Sequence, residues 1–180
     1  MKYLEELEGY LYPPRPWTDL SLEAIFQNPY ELASLSYWIE EVGVRTYLEV
    51  GVAGGGLMHY FTNVLGLKAL GIDIMEPIMV DKELVFIGDC HAQSTVEWAQ
   101  GKAPFDMVLI DADHSYEAVK KDWELYGGMA SKLVVFHDIA HLTLPGPRQL
   151  WNQIEGRKLE IIVPKESLGI GILFVEENRE

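Results

Sequence analysis

Two short runs, "LIDADHSYEAVKKDW" and "VVFHDIAH", concentrate the residues with chemistry to offer. The first carries Asp111, Asp113 and His114, and the second carries His137 and Asp138. In each run the polar residues follow an unbroken apolar stretch, which reads as the end of a buried strand. Adjacent parallel strands lie about 4.8 Å apart. Asp111 and the His137–Asp138 pair should therefore converge on one spot at the carboxyl edge of a sheet, where open α/β sheets bind ligands. Carboxylates and imidazoles gathered there have two uses. They can hold a divalent metal with oxygen and nitrogen donors, or they can supply a base for a substrate hydroxyl. Asp113 also reads as a helix N-cap, and His141, three residues beyond Asp138, as a loop residue.

The surrounding chain has the punctuation needed to position these groups. "NPYELASLSYWIEEVG" reads as a helix, with Asn28 as N-cap, Pro29 in the first turn, Glu31 completing a capping box and Gly43 ending it. After it, "TYLEVG", "KALGIDI", "ELVFIGD", "FDMVLID" and "KLVVFHD" read as strands. Helical stretches alternate with them: Gly55 to Leu65, "CHAQSTVEWAQ", "SYEAVKKDWELYGG" with an apolar face of Tyr116, Val119, Trp123 and Tyr126, and a short "PRQLWNQIEG". Only "MEPIMVDKE", between the second and third strands, lacks a helical pattern, so that crossover should be abbreviated. Apolar strands alternating with helices predict an α/β fold with a mostly parallel sheet covered on both faces. "KLEIIV" and "GIGILFV" are joined by too few residues for a crossover helix and should form a C-terminal antiparallel hairpin.

"LEVGVAGGGLMHYF" places four glycines, Gly51, Gly54, Gly55 and Gly56, between the first strand and its helix. Glycines let a backbone approach a ligand closely, and a helix N-terminus offers free N–H groups. Asp73 ends the second strand, where a carboxylate can accept from ribose hydroxyls. Asp89, in "GDC", ends the third, and also reads as an N-cap. An acid, Glu49, precedes the turn, which reads E-x-G-x-A-G-G-G rather than the dinucleotide spacing G-x-G-x-x-G.

Composition bounds the rest. The chain has 180 residues, 48% hydrophobic and 23% charged, which suits one globular domain over residues 1–180. "YLYPPRPWTDL", with Pro13, Pro14 and Pro16, should be extended, making residues 1–27 an N-terminal arm that hugs the surface or serves as a lid or dimer arm. A net charge of −14 argues against nucleic acid and against an anionic membrane surface. No apolar run reaches membrane-span length, no signal-peptide pattern opens the chain, and the one cysteine, Cys90, can make no internal disulfide. A cytoplasmic protein is expected.

These motifs resemble those of the S-adenosylmethionine-dependent methyltransferases with a Rossmann-like fold. "LEVGVAGGG" is similar to their first motif, "GIDI" to their second-strand acid and "GDC" to their adenine-side motif; Ala53 stands where a second glycine is frequent. The resemblance covers roughly Tyr30 to Val175 and implies a seven-stranded sheet. It also implies a cofactor pocket over Glu49, Gly51, Ala53, Gly54, Gly55, Asp73, Asp89 and Cys90. "IDADHSYEAVKKDWELY", "VVFHDI" and "PGPRQLW" together are similar to a metal-assisted O-methyltransferase branch that includes macrolide-sugar O-methyltransferases and cephalosporin-hydroxylase-like proteins. That similarity implies Asp111, His137 and Asp138 as ligands of a divalent metal, Mg or Mn. His137 stands where an acid or amide-rich pair is usual, and imidazole suits Mn, Fe or Zn better than Mg. It further implies catalytic roles for Asp111 and His114, with His114 accepting the proton of a small hydroxylated substrate. Other classes remain open at this point: a nicotinamide-dependent oxidoreductase, an adenosylmethionine-binding accessory protein without catalysis, and an amino-directed DNA methyltransferase, whose motif "NPY" at Asn28–Tyr30 faintly echoes. A homo-oligomer is compatible with all of them. No G-x-S-x-G elbow supports a hydrolase.

Overall fold

The computed structural model describes residues 2–7, 25, 27–164 and 168–176. Its centre is a seven-stranded sheet in the order β3-β2-β1-β4-β5-β7-β6. The strands are β1 Thr46–Val50, β2 Lys68–Asp73, β3 Val85–Ile87, β4 Phe105–Ile110, β5 Ala130–Phe136, β6 Arg157–Ile161 and β7 Ile170–Phe174. The first five pair in parallel. β7 then pairs antiparallel with both β5 and β6, so the expected C-terminal hairpin forms the far edge. Between the strands run α3 Gly56–Asn63, α4 Gln93–Gln100, α5 Tyr116–Tyr126 and α6 Gly146–Trp151, after the N-terminal α1 Lys2–Leu7 and α2 Pro29–Val42. The β2–β3 crossover is one turn of 3-10 helix, Lys82–Leu84, as short as its sequence implied.

Alternation along the strands sends side chains to two cores. Tyr47, Met107, Leu109, Leu133 and Val135 face the helices α1, α2 and α3. Leu48, Val50, Val108, Ile110, Val134 and Phe136 face α4, α5 and α6. α2 starts as its residue types dictate: Asn28 Oδ1 accepts from the N–H groups of Tyr30 and Glu31 at 2.9 and 3.4 Å. The buried Glu31 carboxylate also accepts from the Val163 and Gly169 N–H groups, which ties α2 to the β6–β7 connection.

Of the N-terminal segment, Tyr3 and Leu7 of α1 and Ile25 are buried in the first core; its proline-rich stretch lies outside the described residues. Two expectations need correction. The N-cap of α5 is Ser115, whose Oγ accepts from Ala118 N–H, while Asp113 accepts from Ser115 N–H in a turn just before it. Asp89 does not cap α4 either, since Ala92 holds that position. Among the described residues, no helix is long and apolar enough to cross a membrane.

The rungs between parallel strands continue past their carboxyl ends. Gly51 N–H donates to Ile72 C=O, Asp111 N–H to Val50 C=O and His137 N–H to Ile110 C=O. Gly51, at φ +93°, lies so close to β4 that a Cβ there would stand 2.2 Å from the Asp111 carbonyl oxygen. Gly51→Ala must therefore displace backbone and adopt a conformation that side chains disfavour. We expect a loss of about 3 kcal/mol or more in urea denaturation; a change under about 1 kcal/mol would show that this contact can relax.

Candidate functional site

The carboxyl ends of the parallel strands open into a cleft of about 480 Å³, lined by Gly51, Asp73, Asp89, Cys90, Asp111 and Asp113 among others. That volume lies in the ~300–1,000 Å³ range of small-molecule sites. A smaller recess of about 90 Å³ shares Gly51, Ala53 and Asp111 with it and is lined also by Glu49, Gln27 and Gly54. The two together bring seven of the eight expected cofactor residues to one crevice. Gly55 lines neither cavity, and a Cβ on it would face Val80 at 3.0 Å.

Each group is placed by a local cause. Asp73 holds the glycine turn: its Oδ2 accepts from Val52 N–H at 2.8 Å and Ala53 N–H at 2.7 Å, and its Oδ1 from Met75 N–H at 2.8 Å. Three of roughly four acceptor positions on the carboxylate are thus used internally, leaving one free instead of the two expected for ribose. Ala53 sits at φ +49° in this turn, so alanine takes up the left-handed conformation that glycine would enter at less cost. Glu49 is buried and accepts from Tyr47 Oη at 2.8 Å. Burial pushes its pKa up to about 8, against the lowering effect of that hydrogen bond. On the other side of the cleft, the loop after β3 rests on α5. Asp122, fully buried, accepts from Cys90 Sγ at 3.3 Å and lies 2.9 Å from His91 Nε2. Tyr126 Oη donates to the Cys90 carbonyl. Burial, with Asp122 beside it, pushes the Cys90 thiol up to about 12, so it is a neutral wall of the cleft.

The two runs of polar residues meet as their register requires. Val50, Ile110 and Phe136 are level across β1, β4 and β5, and the next residues, Gly51, Asp111 and His137, are level too. His137 Nδ1 lies 3.2 Å from Asp111 Oδ1 and 2.9 Å from Asp138 Oδ1. His114 Nε2 lies 3.3 Å from Asp111 Oδ1 and 2.8 Å from Asp138 Oδ2. Asp138 reaches inward because its backbone turns to φ +59° immediately after β5. Gly146, at the start of α6, packs so tightly on the His114 loop that a Cβ would stand 2.2 Å from the His114 carbonyl oxygen, which fixes that loop over the cluster. His141 is not in the cluster; its Nδ1 faces Thr143.

Electrostatics bind the four groups to one another. The carboxylates of Asp111 and Asp138 raise His114 to about 9. Burial opposes charge on His137, but the same two carboxylates outweigh it and hold its pKa at about 10. Burial also opposes the charge on Asp138, yet the two imidazoles hold its carboxyl well below the usual range. Although these atoms touch at ion-pair distance, buried His114 Nε2, His137 Nδ1 and Asp138 Oδ1 have no aligned hydrogen bond. One ligand atom from each of Asp111, His114, His137 and Asp138 falls within 4.8 Å of every other. Two carboxylates and two imidazoles converging in this way fit a divalent cation.

No protein-family model matches the sequence, and no curated protein matches it. Solved structures do. An O-methyltransferase from Bacillus cereus in complex with SAH superposes with a TM-score of 0.61 over 98% of this chain and 91% of that one, at 18% identity. MycE methyltransferase from the mycinamycin biosynthetic pathway, in complex with Mg and SAH, gives 0.63 over 94% of this chain, at 17% identity. The chain spans only 52% of that larger protein. A putative caffeoyl-CoA O-methyltransferase from Staphylococcus aureus gives 0.59 over 96% and 97%, at 15% identity. This is the Rossmann-like methyltransferase fold.

In that fold the site residues missed by sequence reasoning are His91, Asp122 and Gln27. Asp122 had a signal, since it falls at helical spacing between Val119 and Tyr126 on the buried face of α5. The other two had none, because their partners are distant in the chain. Asp73 offers the test of how the turn is held. Asp73→Ala removes an acceptor from three N–H groups, and hydrogen bonds to a charged group are worth about 1.5–3 kcal/mol each. Amide exchange of Val52, Ala53 and Met75 should accelerate together, while strand amides of β4 stay protected. Unchanged exchange at those three would mean the turn holds itself.

Proposed function

We propose that this protein is an S-adenosylmethionine-dependent methyltransferase acting on a hydroxyl oxygen of a small molecule, with a divalent metal assisting. The proposal treats residues 1–180 as one methyltransferase-like domain. The observation that carries it is the junction of a nucleotide-sized cleft with a buried carboxylate–imidazole cluster at one sheet edge. The shared fold with O-methyltransferases solved with SAH, and with Mg in MycE, supports the same reading.

When bound, adenosylmethionine supplies an activated methyl group, and a divalent ion supplies positive charge against which an ionised acceptor oxygen is favoured. The chain's own residues do the rest. Asp89 and the Cys90 backbone would hold the adenine end, and the free acceptor position of Asp73 the ribose. Glu49, lining the recess, suits an ammonium group, because a neighbouring cation offsets the burial that otherwise keeps it protonated. Asp111, His137 and Asp138 would hold the ion. His114 is raised by the two carboxylates it faces. With Asp111 and Asp138 engaged in holding a cation, the His114 imidazole would lose the pull that raises it and could take the acceptor's proton. Asp111 and Asp138 fix that ring from their positions just after β4 and β5. Orientation then contributes most of the acceleration.

The cofactor is tested by thermal shift. Adenosylmethionine and its demethylated product should raise the melting temperature, and NAD should not; protection by NAD alone would sink the methyltransferase reading. The metal is tested on methyl transfer to a panel of vicinal diols and phenols. Chelation should abolish turnover, and Mn or Mg should restore it. Asp138→Asn should weaken metal binding at least tenfold, as losses of this kind commonly do, with adenosylmethionine affinity unchanged. Full turnover after exhaustive chelation would instead favour Asp111 and His114 as a metal-free base pair.

A further inference from the structure

Gln27 precedes α2 and, with Ile25, lines the small recess beside Glu49. It is nevertheless only 2% exposed, and its Oε1 is hydrogen-bonded to His137 Nε2. An amide oxygen can only accept, so the ring nitrogen facing it carries the proton. A neutral imidazole protonated at Nε2 has its lone pair at Nδ1. That atom is the one that points at Asp111 Oδ1 and Asp138 Oδ1, buried and without an aligned hydrogen bond. With one proton kept at Nε2 by Gln27, Nδ1 is the nitrogen left to exchange its proton for a cation where the two carboxylates already converge. Metal-bound imidazoles depend on such a partner, which fixes tautomer and ring orientation.

We infer that Gln27 is a positioning residue: it holds His137 in the tautomer protonated at Nε2 and so makes Nδ1 a metal ligand beside Asp111 and Asp138. The inference rests on the metal-assisted reading above. It explains how histidine can stand where the resemblance leads one to expect an acid or amide-rich pair. A carboxylate offers lone pairs in any protonation state useful to a metal, whereas an imidazole offers one only if its other nitrogen keeps the proton. Gln27 shares its recess with Glu49, so a neutral amide does this without adding a third carboxylate beside Glu49 and Asp111.

The test uses the full-length protein and three measurements. In the Zn²⁺-loaded wild-type protein, ring nitrogen NMR of His137 should show a proton on Nε2 and none on Nδ1. Calorimetry with Mn²⁺ should show binding about 10- to 100-fold weaker in Gln27→Met, which keeps the bulk and removes the acceptor. Gln27→Glu, which keeps the acceptor, should hold both the tautomer and the affinity within a few-fold of wild type. A proton on Nδ1 in the Zn²⁺-loaded wild type overturns the inference whatever the variants do. Wild-type-like Mn²⁺ affinity in Gln27→Met overturns it too, as does weaker binding with the tautomer unchanged. Wild-type protein that binds no Mn²⁺ at all overturns the metal reading itself, and the inference with it.

Discussion

The contact between Gly51 and the backbone of Asp111 is the constraint on which the whole crevice depends. β1 and β4 are neighbours in register, and Asp111 N–H donates to Val50 C=O at 2.8 Å. The chain leaving β1 must therefore turn away immediately over the end of β4. With a Cβ position 2.2 Å from the Asp111 carbonyl, only glycine allows it. The usual account of such a glycine is close approach to a ligand. Here the first thing it approaches is the protein itself. Ligand access is a consequence: once the turn lies flat, the cleft on one side and the recess on the other meet across Gly51.

The same contact couples two otherwise separate sites. The turn is tied to Asp73 on β2, and Asp111 to His114, His137 and Asp138. A methyl donor held on the first and an acceptor held on the second would share a border one residue wide. That arrangement supplies proximity through backbone hydrogen bonds, which do not vary with side-chain rotamers. It also explains why the sheet must be parallel at its centre. Only parallel neighbours deliver Asp73, Gly51, Asp111 and His137 to the same edge.

Much of this was legible in the sequence because it is local. Strand ends announce themselves where apolar runs meet Asp, Gly or His, as at Asp73, Asp89, Asp111 and His137. The parallel character of the sheet followed from alternation of strands and helices, and the short final connection gave the antiparallel edge. What was not legible depends on side chains meeting across the chain. Asp113 looked like a cap because Asp and Ser are both good N-caps two residues apart, and geometry chose Ser115. Gln27 is hidden for a plainer reason: a lone polar residue before a helix carries no periodicity that points to His137. Nor can the sequence show that Asp73 accepts from the Val52, Ala53 and Met75 N–H groups.

The distribution of local cost is itself an argument about where function lies. Asp138 adopts a left-handed backbone, Glu49 is a carboxylate buried against a tyrosine, and three buried polar atoms in the acid–imidazole cluster lack aligned partners. Each is unfavourable, in the range of about 1–3 kcal/mol. Buried Thr95 Oγ1 and Asp122 Oδ2 also lack partners, on α4 and α5, but the costs at Asp138, Glu49 and the cluster are gathered in one place. All lie at the carboxyl edge between β1 and β5, while the interior of the same strands is filled by well-packed aliphatic and aromatic side chains on both faces. Strain persists in a folded chain only where its surroundings over-determine it, and here the two cores and the continuing ladder do so. A sheet edge that served only to turn the chain would have no reason to concentrate such terms. An edge that received a cationic group beside Glu49 and a cation in place of the imidazole protons between Asp111 and Asp138 would have such a reason, because positive charge there offsets the burial of both carboxylate sites.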